Sequence, residues 1–94
     1  MKQYTIAYYN EAFEAYKKIH ENAQEYDFWK LLIDAEARPI DACQAWVLTD
    51  KDGNKYLQSY HTIVSVKFAG CDVEKLGYWS RTTSKHQGYF YRYV

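Results

Sequence analysis

The feature that most constrains this chain is a period-two pattern that runs from Lys55 to Phe68. Side chains at alternate positions of a strand point to opposite faces of a sheet. The face that we expect to be buried holds Tyr56, Tyr60, Thr62, Val64, Val66 and Phe68. The opposite face holds Ser59, His61, Ser65 and Lys67, with Leu57 and Ile63 as apolar exceptions. The pattern therefore predicts one long strand, at or near the centre of a sheet.

The length of 94 residues predicts a single domain, residues 1–94, with a modest hydrophobic core. Aromatic residues compensate for the small core, because the chain has 11 Tyr, 3 Trp and 4 Phe. Each large ring can bury about 150–250 Å². We expect most of these rings to be buried. The alternative for some tyrosines is a recognition surface, where Tyr and Trp are enriched.

The N-terminal half predicts a strand followed by helices. β-forming residues indicate a strand over Lys2–Tyr9, and Asn10 is a suitable N-cap for a helix over Asn10–Ala23. The segment Tyr26–Glu36 favours a second helix by composition, with a short buried strand as the alternative. Arg38-Pro39 ends this segment. The residues of this helix that we expect to face the core are Trp29, Leu32 and Ile33.

The C-terminal half predicts further strands and a last helix. Gln44–Thr49 reads as a strand, and Asp50–Asn54 is a turn that joins it to the next strand as a hairpin. Ala69–Asp72 is the next turn, and Val73–Trp79 is predicted to be a strand. Ser80 or Thr82 caps a final helix, which Gly88 and the Thr82-Thr83 pair should keep short. The fold class predicted is α+β, a small antiparallel sheet of about four strands with helices packed on one face.

Charge is distributed unevenly although the formal net charge is zero. Residues 10–41 contain more acidic than basic side chains, and a candidate partner-binding surface within them consists of Glu11, Glu14, Glu21, Glu25 and Asp27. A solvated helix face is the simplest explanation of these carboxylates. The sharper hypothesis is that they imitate the phosphates of a nucleic acid and bind a nuclease groove.

A basic and aromatic segment occupies the C-terminal end, where no acidic residue follows Glu74. Its candidate binding residues are Arg81, Lys85 and Trp79, and such mixtures can bind single-stranded nucleic acid. The few cations and the expected burial of the rings predict that any nucleic-acid affinity is weak at physiological salt. Cations in water and rings in the core are the structural interpretation.

Hydroxyl and histidine residues over positions 59–62 and 80–86 could suggest catalysis or a metal site. They lack a nucleophile elbow and a metal-ligand spacing, and so we predict no catalytic residue, no metal and no cofactor. We expect Thr82, Thr83 and His86 to hold the last helix against the strand segment Ser59–Thr62. The two cysteines, Cys43 and Cys71, are predicted to be buried free thiols, with a disulfide as the alternative.

The same residues form a recognisable arrangement. It runs Ser59-Tyr60-x-Thr62-x-Val64 and then Tyr78-x-Ser80-x-Thr82-Thr83-x-x-His86, followed by Phe90. This arrangement resembles a family of small proteins carried by bacteriophages, plasmids and other mobile elements. The resemblance covers about the C-terminal third of the chain. It implies a phage or mobile-element accessory protein and implies no mechanism.

These observations predict a non-enzymatic accessory protein that acts by stoichiometric binding to a host or phage protein. An inhibitor of a host defence nuclease, similar to an anti-CRISPR protein, is the most concrete version. The alternative is a small nucleic-acid-binding accessory protein that uses the C-terminal segment. The polar N-terminus predicts no signal peptide, and no apolar run is long enough to span a membrane, so we expect the host cytoplasm.

The first prediction concerns Val64, which the alternating pattern places in the core. The substitution Val64→Ala removes buried apolar surface and leaves a small cavity, so unfolding should become easier by about 1–3 kcal/mol. Urea denaturation of the variant and the wild type measures this difference. An unchanged denaturation midpoint would contradict the predicted burial.

Overall fold

The computed structural model describes residues 8–41 and 44–94. Within these ranges the chain forms three helices and a five-stranded antiparallel sheet of strand order β1-β2-β3-β4-β5. The elements are α1 Asn10–Ile19, α2 Glu25–Ile33, β1 Glu36–Asp41, β2 Ala45–Thr49, β3 Lys55–Ser59, β4 Thr62–Lys67, β5 Glu74–Lys75 and α3 Arg81–Tyr93. The predicted α+β class is confirmed, with one more strand than the expected four or so.

Helices cover both faces of the sheet, whereas the sequence predicted them on one face. Val47 and Leu48 are neighbours in β2 and therefore point to opposite faces. Leu48 packs in a cluster with Phe28 and Leu32 of α2 and Ala12 and Ala15 of α1. Val47 belongs to a second cluster, which contains Phe90 of α3. Hence α1 and α2 lie on one face and α3 lies on the other.

The stretch from Lys55 to Phe68 is a hairpin and not the single strand that was predicted. β3 and β4 pair antiparallel, and Ser59 faces Thr62 across a two-residue turn, Tyr60-His61. Tyr60 has φ 56°, the left-handed conformation that such tight turns require. Neither turn residue is among those that usually mark a hairpin, and so the alternation concealed the reversal.

A β-bulge explains why the predicted buried face divides into two. The register between β3 and β4 shifts at Leu57 and Gln58, so that Ser65 pairs with Leu57 while Ile63 pairs with Gln58. Val64 is buried in the cluster of α3, whereas Val66 is buried in the cluster of α1 and α2. The alternation is therefore broken where the sequence suggested that it continued.

The first two helices differ in detail from their predicted bounds. Tyr9 occupies the N-cap position of α1 without a side-chain cap bond, and Asn10 is the first helical residue rather than the cap. The segment predicted over Tyr26–Glu36 is a helix, α2, and not the short buried strand that was the alternative. Leu32 is fully buried as expected. Trp29 and Ile33 are exposed instead, because Phe28 takes the core position on this helix.

The edge strands were the hardest elements to anticipate. β1 runs through Arg38-Pro39, where the sequence indicated only the end of a helix. Proline is tolerated on an edge strand, since its missing N–H is not needed by a neighbour on the open side. At the other edge, the strand predicted over Val73–Trp79 is reduced to the pair Glu74 and Lys75.

The last helix is longer than predicted, with 13 residues. Its buried stripe, spaced at i, i+3, i+4 and i+7, consists of Thr83, His86, Gln87 and Phe90. Packing of this stripe on the sheet offsets the low helix propensity of Gly88 and the threonines. Ser80 is its N-cap, as predicted, and its side chain accepts a hydrogen bond from the Thr83 amide.

The turn between β2 and β3 is organised by a buried carboxylate. Asp50 Oδ1 accepts hydrogen bonds from the amides of Asp52 and Asn54, at 2.9 and 3.0 Å. Asp50 Oδ2 accepts from Asn54 Nδ2 at 3.0 Å and from the Tyr56 hydroxyl at 2.6 Å. These four bonds stabilise a charged group that would otherwise be costly to bury. Burial raises the pKa of Tyr56, and the hydrogen bond to Asp50 and its charge raise it further.

Several side chains that the sequence predicted to be buried are exposed on the surface. Many aromatic side chains are exposed rather than buried, among them Tyr8, Tyr26, Trp29, Tyr60, Tyr78, Trp79, Tyr91 and Tyr93. Cys71 is a free thiol but is exposed, not buried. Cys43 and most of the strand predicted over Lys2–Tyr9 lie outside the described residues, although Tyr8 makes a parallel bridge to Thr62. None of the helices in the described ranges is long and apolar enough to cross a membrane.

The second prediction follows from the raised pKa of Tyr56. In the unfolded chain this hydroxyl titrates near its ordinary value of 10.0, whereas in the folded protein it stays protonated at higher pH. The neutral Tyr56 side chain, through its burial and its bond to Asp50, therefore stabilises the fold fully below pH 10, and this contribution falls above that pH by about 1.4 kcal/mol per pH unit. Tyr56→Phe should lower stability at neutral pH by about 1–3 kcal/mol, because Asp50 loses a donor.

Urea denaturation of wild type and Tyr56→Phe at a series of pH values from neutral to strongly alkaline measures both effects. The difference in free energy of unfolding between the two proteins should shrink as the pH rises above the ordinary tyrosine pKa. A difference that stays constant over the series would contradict the assignment of the raised pKa to Tyr56.

Candidate functional site

A buried hydrogen-bond network fixes α3 on the sheet. The Ser59 hydroxyl, at the end of β3, lies 2.8 Å from His86 Nδ1 and 3.1 Å from Thr83 Oγ1. Ser59, Thr83 and His86 are all buried. The bonds expected from the sequence between the strand and the last helix are therefore present at Ser59, Thr83 and His86.

Further polar contacts extend this network along the helix. Gln87 Nε2 donates to the carbonyl oxygen of Val64 at 3.0 Å and to that of Gly77 at 3.2 Å. Ser80 Oγ lies 3.3 Å from Thr83 Oγ1, which links the N-cap to the same group of atoms. The first half of α3 is thus tied to β3, β4 and the segment that leads into the helix.

The remaining residues of the motif have different positions. The Tyr60 ring is 44% exposed and lies 5.9 Å, centroid to centroid, from the His86 ring, so it covers the network from outside. Thr62 is half-buried at the start of β4. Thr82 is exposed, and the expectation that it helps to hold the helix is wrong. Thr82 directly precedes Thr83 in the helix and lies outside the buried stripe.

The Ser59–His86 pair has the atoms of a nucleophile and a base, but its position does not suit that chemistry. A nucleophile must reach a substrate carbonyl, and the Ser59 hydroxyl is only 2% exposed while His86 is fully buried. His61 is exposed in the hairpin turn. Across residues 8–41 and 44–94, no group of three or more His, Cys, Asp or Glu side chains could hold a metal ion.

The face of the sheet that carries α3 is strongly basic. Strand register puts Arg38, Lys55 and Lys67 on the same face as Val47, since each is paired with a residue of that face. On α3, the cations Arg81, Lys85 and Arg92 follow one outward line opposite the buried stripe. We call these six residues and the surface between them the basic face. Among the described side chains in these strands and α3, Glu36 is the acidic residue on this side.

Exposed aromatic rings border the basic face. Tyr78 is 75% exposed and Tyr91 is 67% exposed, at opposite ends of α3. Tyr93 lines a cleft together with Arg38 and Lys55, where the end of α3 meets the sheet. Lys85 Nζ lies 5.7 Å from the centre of the Tyr89 ring. The basic and aromatic segment noted in the sequence is therefore a surface, not a core.

The opposite side of the molecule, formed by α1 and α2, is acidic. All five predicted carboxylates are exposed there: Glu11, Glu14, Glu21, Glu25 and Asp27. Lys17 Nζ lies 2.8 Å from Glu14 Oε1, which is the ion pair found among the described residues. The Tyr9 hydroxyl donates to Glu25 Oε2 at 3.4 Å. Burial, followed by the Glu25 charge, raises the pKa of Tyr9.

An apolar stripe crosses this acidic side and was missed by sequence reasoning. Tyr26, Trp29 and Ile33 share one face of α2 at i, i+3 and i+7, and they are 65%, 38% and 38% exposed. The Tyr26 and Trp29 rings are stacked with centroids 6.1 Å apart. We call these three residues the α2 stripe. The sequence did contain a signal for the α2 stripe. The apolar residues of this helix cover more of its circumference than one core-facing stripe needs.

The predicted partner-binding residues therefore fall on two separate surfaces. The five carboxylates lie with α1 and α2 on one side of the sheet. Arg81 and Lys85 lie on α3 on the other side, where Trp79 precedes the helix and packs against Gly77. A single partner site containing all eight residues is excluded by this arrangement, because the sheet stands between the two groups.

A two-surface α+β protein of this kind can be compared with known families. The chain belongs to a family of unknown function, DUF8033, whose model matches residues 35–92. The matched segment holds the sheet and nearly all of α3, and it begins after α2. No curated protein and no solved structure matches the chain.

The third prediction separates two adjacent threonines in the first turn of α3. Thr83→Val removes a buried hydroxyl that lies within hydrogen-bonding distance of Ser59 and Ser80, and it should cost about 1–2 kcal/mol of stability. Thr82→Val is the matched control, with the same change of side chain at an exposed site, and it should cost about 0.5 kcal/mol or less. Thermal or urea unfolding measures both. Equal losses would contradict the role given to the network.

Proposed function

We propose that this protein is a non-enzymatic accessory protein that acts by stoichiometric binding to a protein partner. The observation that carries the proposal is the α2 stripe. Tyr and Trp are the residues most enriched among interface hot spots, and a Tyr–Trp–Ile stripe exposed on one helix suits an apolar pocket on a partner. The stripe has an ordered surface, because its two rings already stack on each other.

The charges around the stripe indicate the character of the partner surface. Glu25 and Asp27 lie on the same helix, and Asp34 is exposed at its C-cap. An acidic rim around an apolar centre is complementary to a basic surface with an apolar pocket. Grooves that bind nucleic acid have such basic surfaces, which supports a nuclease as partner.

The resemblance to proteins of phages and mobile elements adds the biological setting of the proposal. A small protein of that origin would act in the cytoplasm of the host cell. Its target would be a host defence nuclease, whose nucleic-acid groove the acidic side would occupy in the manner of an anti-CRISPR protein. The complex would need no cofactor, because charge and apolar contact supply the affinity.

The fourth prediction tests this proposal with variants on the two sides of the sheet. Cells that each carry one defence nuclease from a panel are challenged with a sensitive phage while they express the protein. We expect one nuclease to be inhibited, and the purified pair to form a complex of equal stoichiometry by calorimetry. The double variant Tyr26→Ala, Trp29→Ala should weaken that complex by about 30-fold or more, as loss of hot-spot residues does.

The matched control is the double variant Tyr78→Ala, Tyr91→Ala, which removes two exposed rings from the opposite side. It should bind and inhibit like the wild type. Failure of the wild type to inhibit any nuclease of the panel would contradict the nuclease hypothesis. Equal loss of binding in both double variants would contradict the assignment of the contact to the α2 stripe.

A further inference from the structure

We propose that the basic face is a second binding site, and that its ligand is a single-stranded nucleic acid. This site is independent of the protein contact proposed for α2, because the two surfaces lie on opposite sides of the sheet. The inference depends on three observations: a line of three cations on α3, a cross-strand pair of like charges, and exposed rings beside the cations of this face.

The first observation is the line of cations on α3. Arg81, Lys85 and Arg92 are separated by i+4 and i+7 steps, so they follow one side of the helix over about 16 Å. Gly88 lies on the same line, and apart from its chain neighbours and the backbone of the helix itself no atom is within 4 Å of the position that a Cβ would occupy there. The helix backbone is therefore open to close approach by a chain of phosphates running along it.

The second observation is a pair of lysines that face each other across the sheet. Lys55 of β3 is paired directly with Lys67 of β4, an arrangement in which like charges destabilise a sheet. Lys55 Nζ donates to Thr49 Oγ1 at 3.1 Å, and Lys67 Nζ donates to the Cys71 carbonyl oxygen at 2.7 Å. Both ammonium groups are thus held by neutral acceptors, the Thr49 hydroxyl and a backbone carbonyl.

The third observation is the cleft at the C-terminal end of α3. Arg38 and Lys55 line it together with Glu36 and the 45% exposed residue Tyr93, so that two cations and one carboxylate surround the cleft. Two cations beside one accessible ring form the unit that single-strand binding proteins repeat, with phosphates on the cations and a base stacked on the ring. Bases are available for stacking in a single strand and are hidden in a duplex, which favours the single strand as ligand.

The exposed rings also revise the expectation, made from the sequence, that the affinity for nucleic acid is weak. The expectation of weak binding assumed few cations at the C-terminal end and buried aromatic residues, whereas the basic face has six cations with Tyr78, Tyr91 and Tyr93 exposed around it. Each phosphate contact to a single strand contributes about −0.7 to the slope of log affinity against log salt concentration. Contacts from most of the basic face therefore predict a slope of about −3 to −4.

The fifth prediction tests the site with the full-length protein and a fluorescein-labelled oligothymidine. Fluorescence anisotropy should show binding at low salt with the predicted salt slope, and weaker binding to a duplex of the same length. The triple variant Arg81→Gln, Lys85→Gln, Arg92→Gln should bind at least about tenfold more weakly, because it loses three phosphate contacts. Tyr93→Ala should also weaken binding, by about fivefold or more, through loss of one stacked base.

The matched control is Lys17→Gln, Lys18→Gln, Lys30→Gln, which changes net charge equally on the acidic side and should bind within about twofold of wild type. Circular dichroism verifies that each variant is folded, and Tyr93→Ala provides the test if the triple variant is not. No binding of the wild type at low salt, or equal losses in the two triple variants, would overturn the proposal. So would equally tight binding of the duplex, or displacement by polyglutamate as effective as displacement by unlabelled oligothymidine.

Discussion

The contact of Ser59 with Thr83 and His86 determines where α3 lies, and the distribution of charge depends on that position. The network holds the helix on the face of the sheet opposite α1 and α2. Strand alternation places Arg38, Lys55 and Lys67 on the same side as α3. The formal net charge of zero therefore describes a molecule with one acidic and one basic side, and not an electrostatically neutral surface.

The two sides differ in their relation to the family. The matched residues 35–92 contain the strands and most of the helix that form the basic face, whereas the α2 stripe precedes them. On the account proposed above, nucleic-acid binding would be the property that this segment carries, and the protein contact would be supplied by α1 and α2. A protein that joins both contacts could hold a nuclease and the strand it acts on at the same time.

Features with local causes could be predicted from the sequence. The Ser80 cap and the Asp50–Asn54 turn depend on side chains that bond to nearby backbone, and both are present in the structure. The hairpin turn at Tyr60 and the bulge at Leu57 depend on packing against both helical layers, and residue types there give no signal. The strand half of the basic face was hidden for the same reason, since Arg38, Lys55 and Lys67 come together only through strand register, whereas Arg81 and Lys85 on α3 could be identified from the sequence.

The most direct test of the account is to map the ligand on the protein itself. Amide chemical shifts of the ¹⁵N-labelled chain can be followed by NMR as unlabelled oligothymidine is added. The account predicts that the changes concentrate in α3 and around Arg38, Lys55 and Lys67, while α1 and α2 stay unchanged. Shifts concentrated in α1 and α2, or spread evenly over both sides of the sheet, would contradict it.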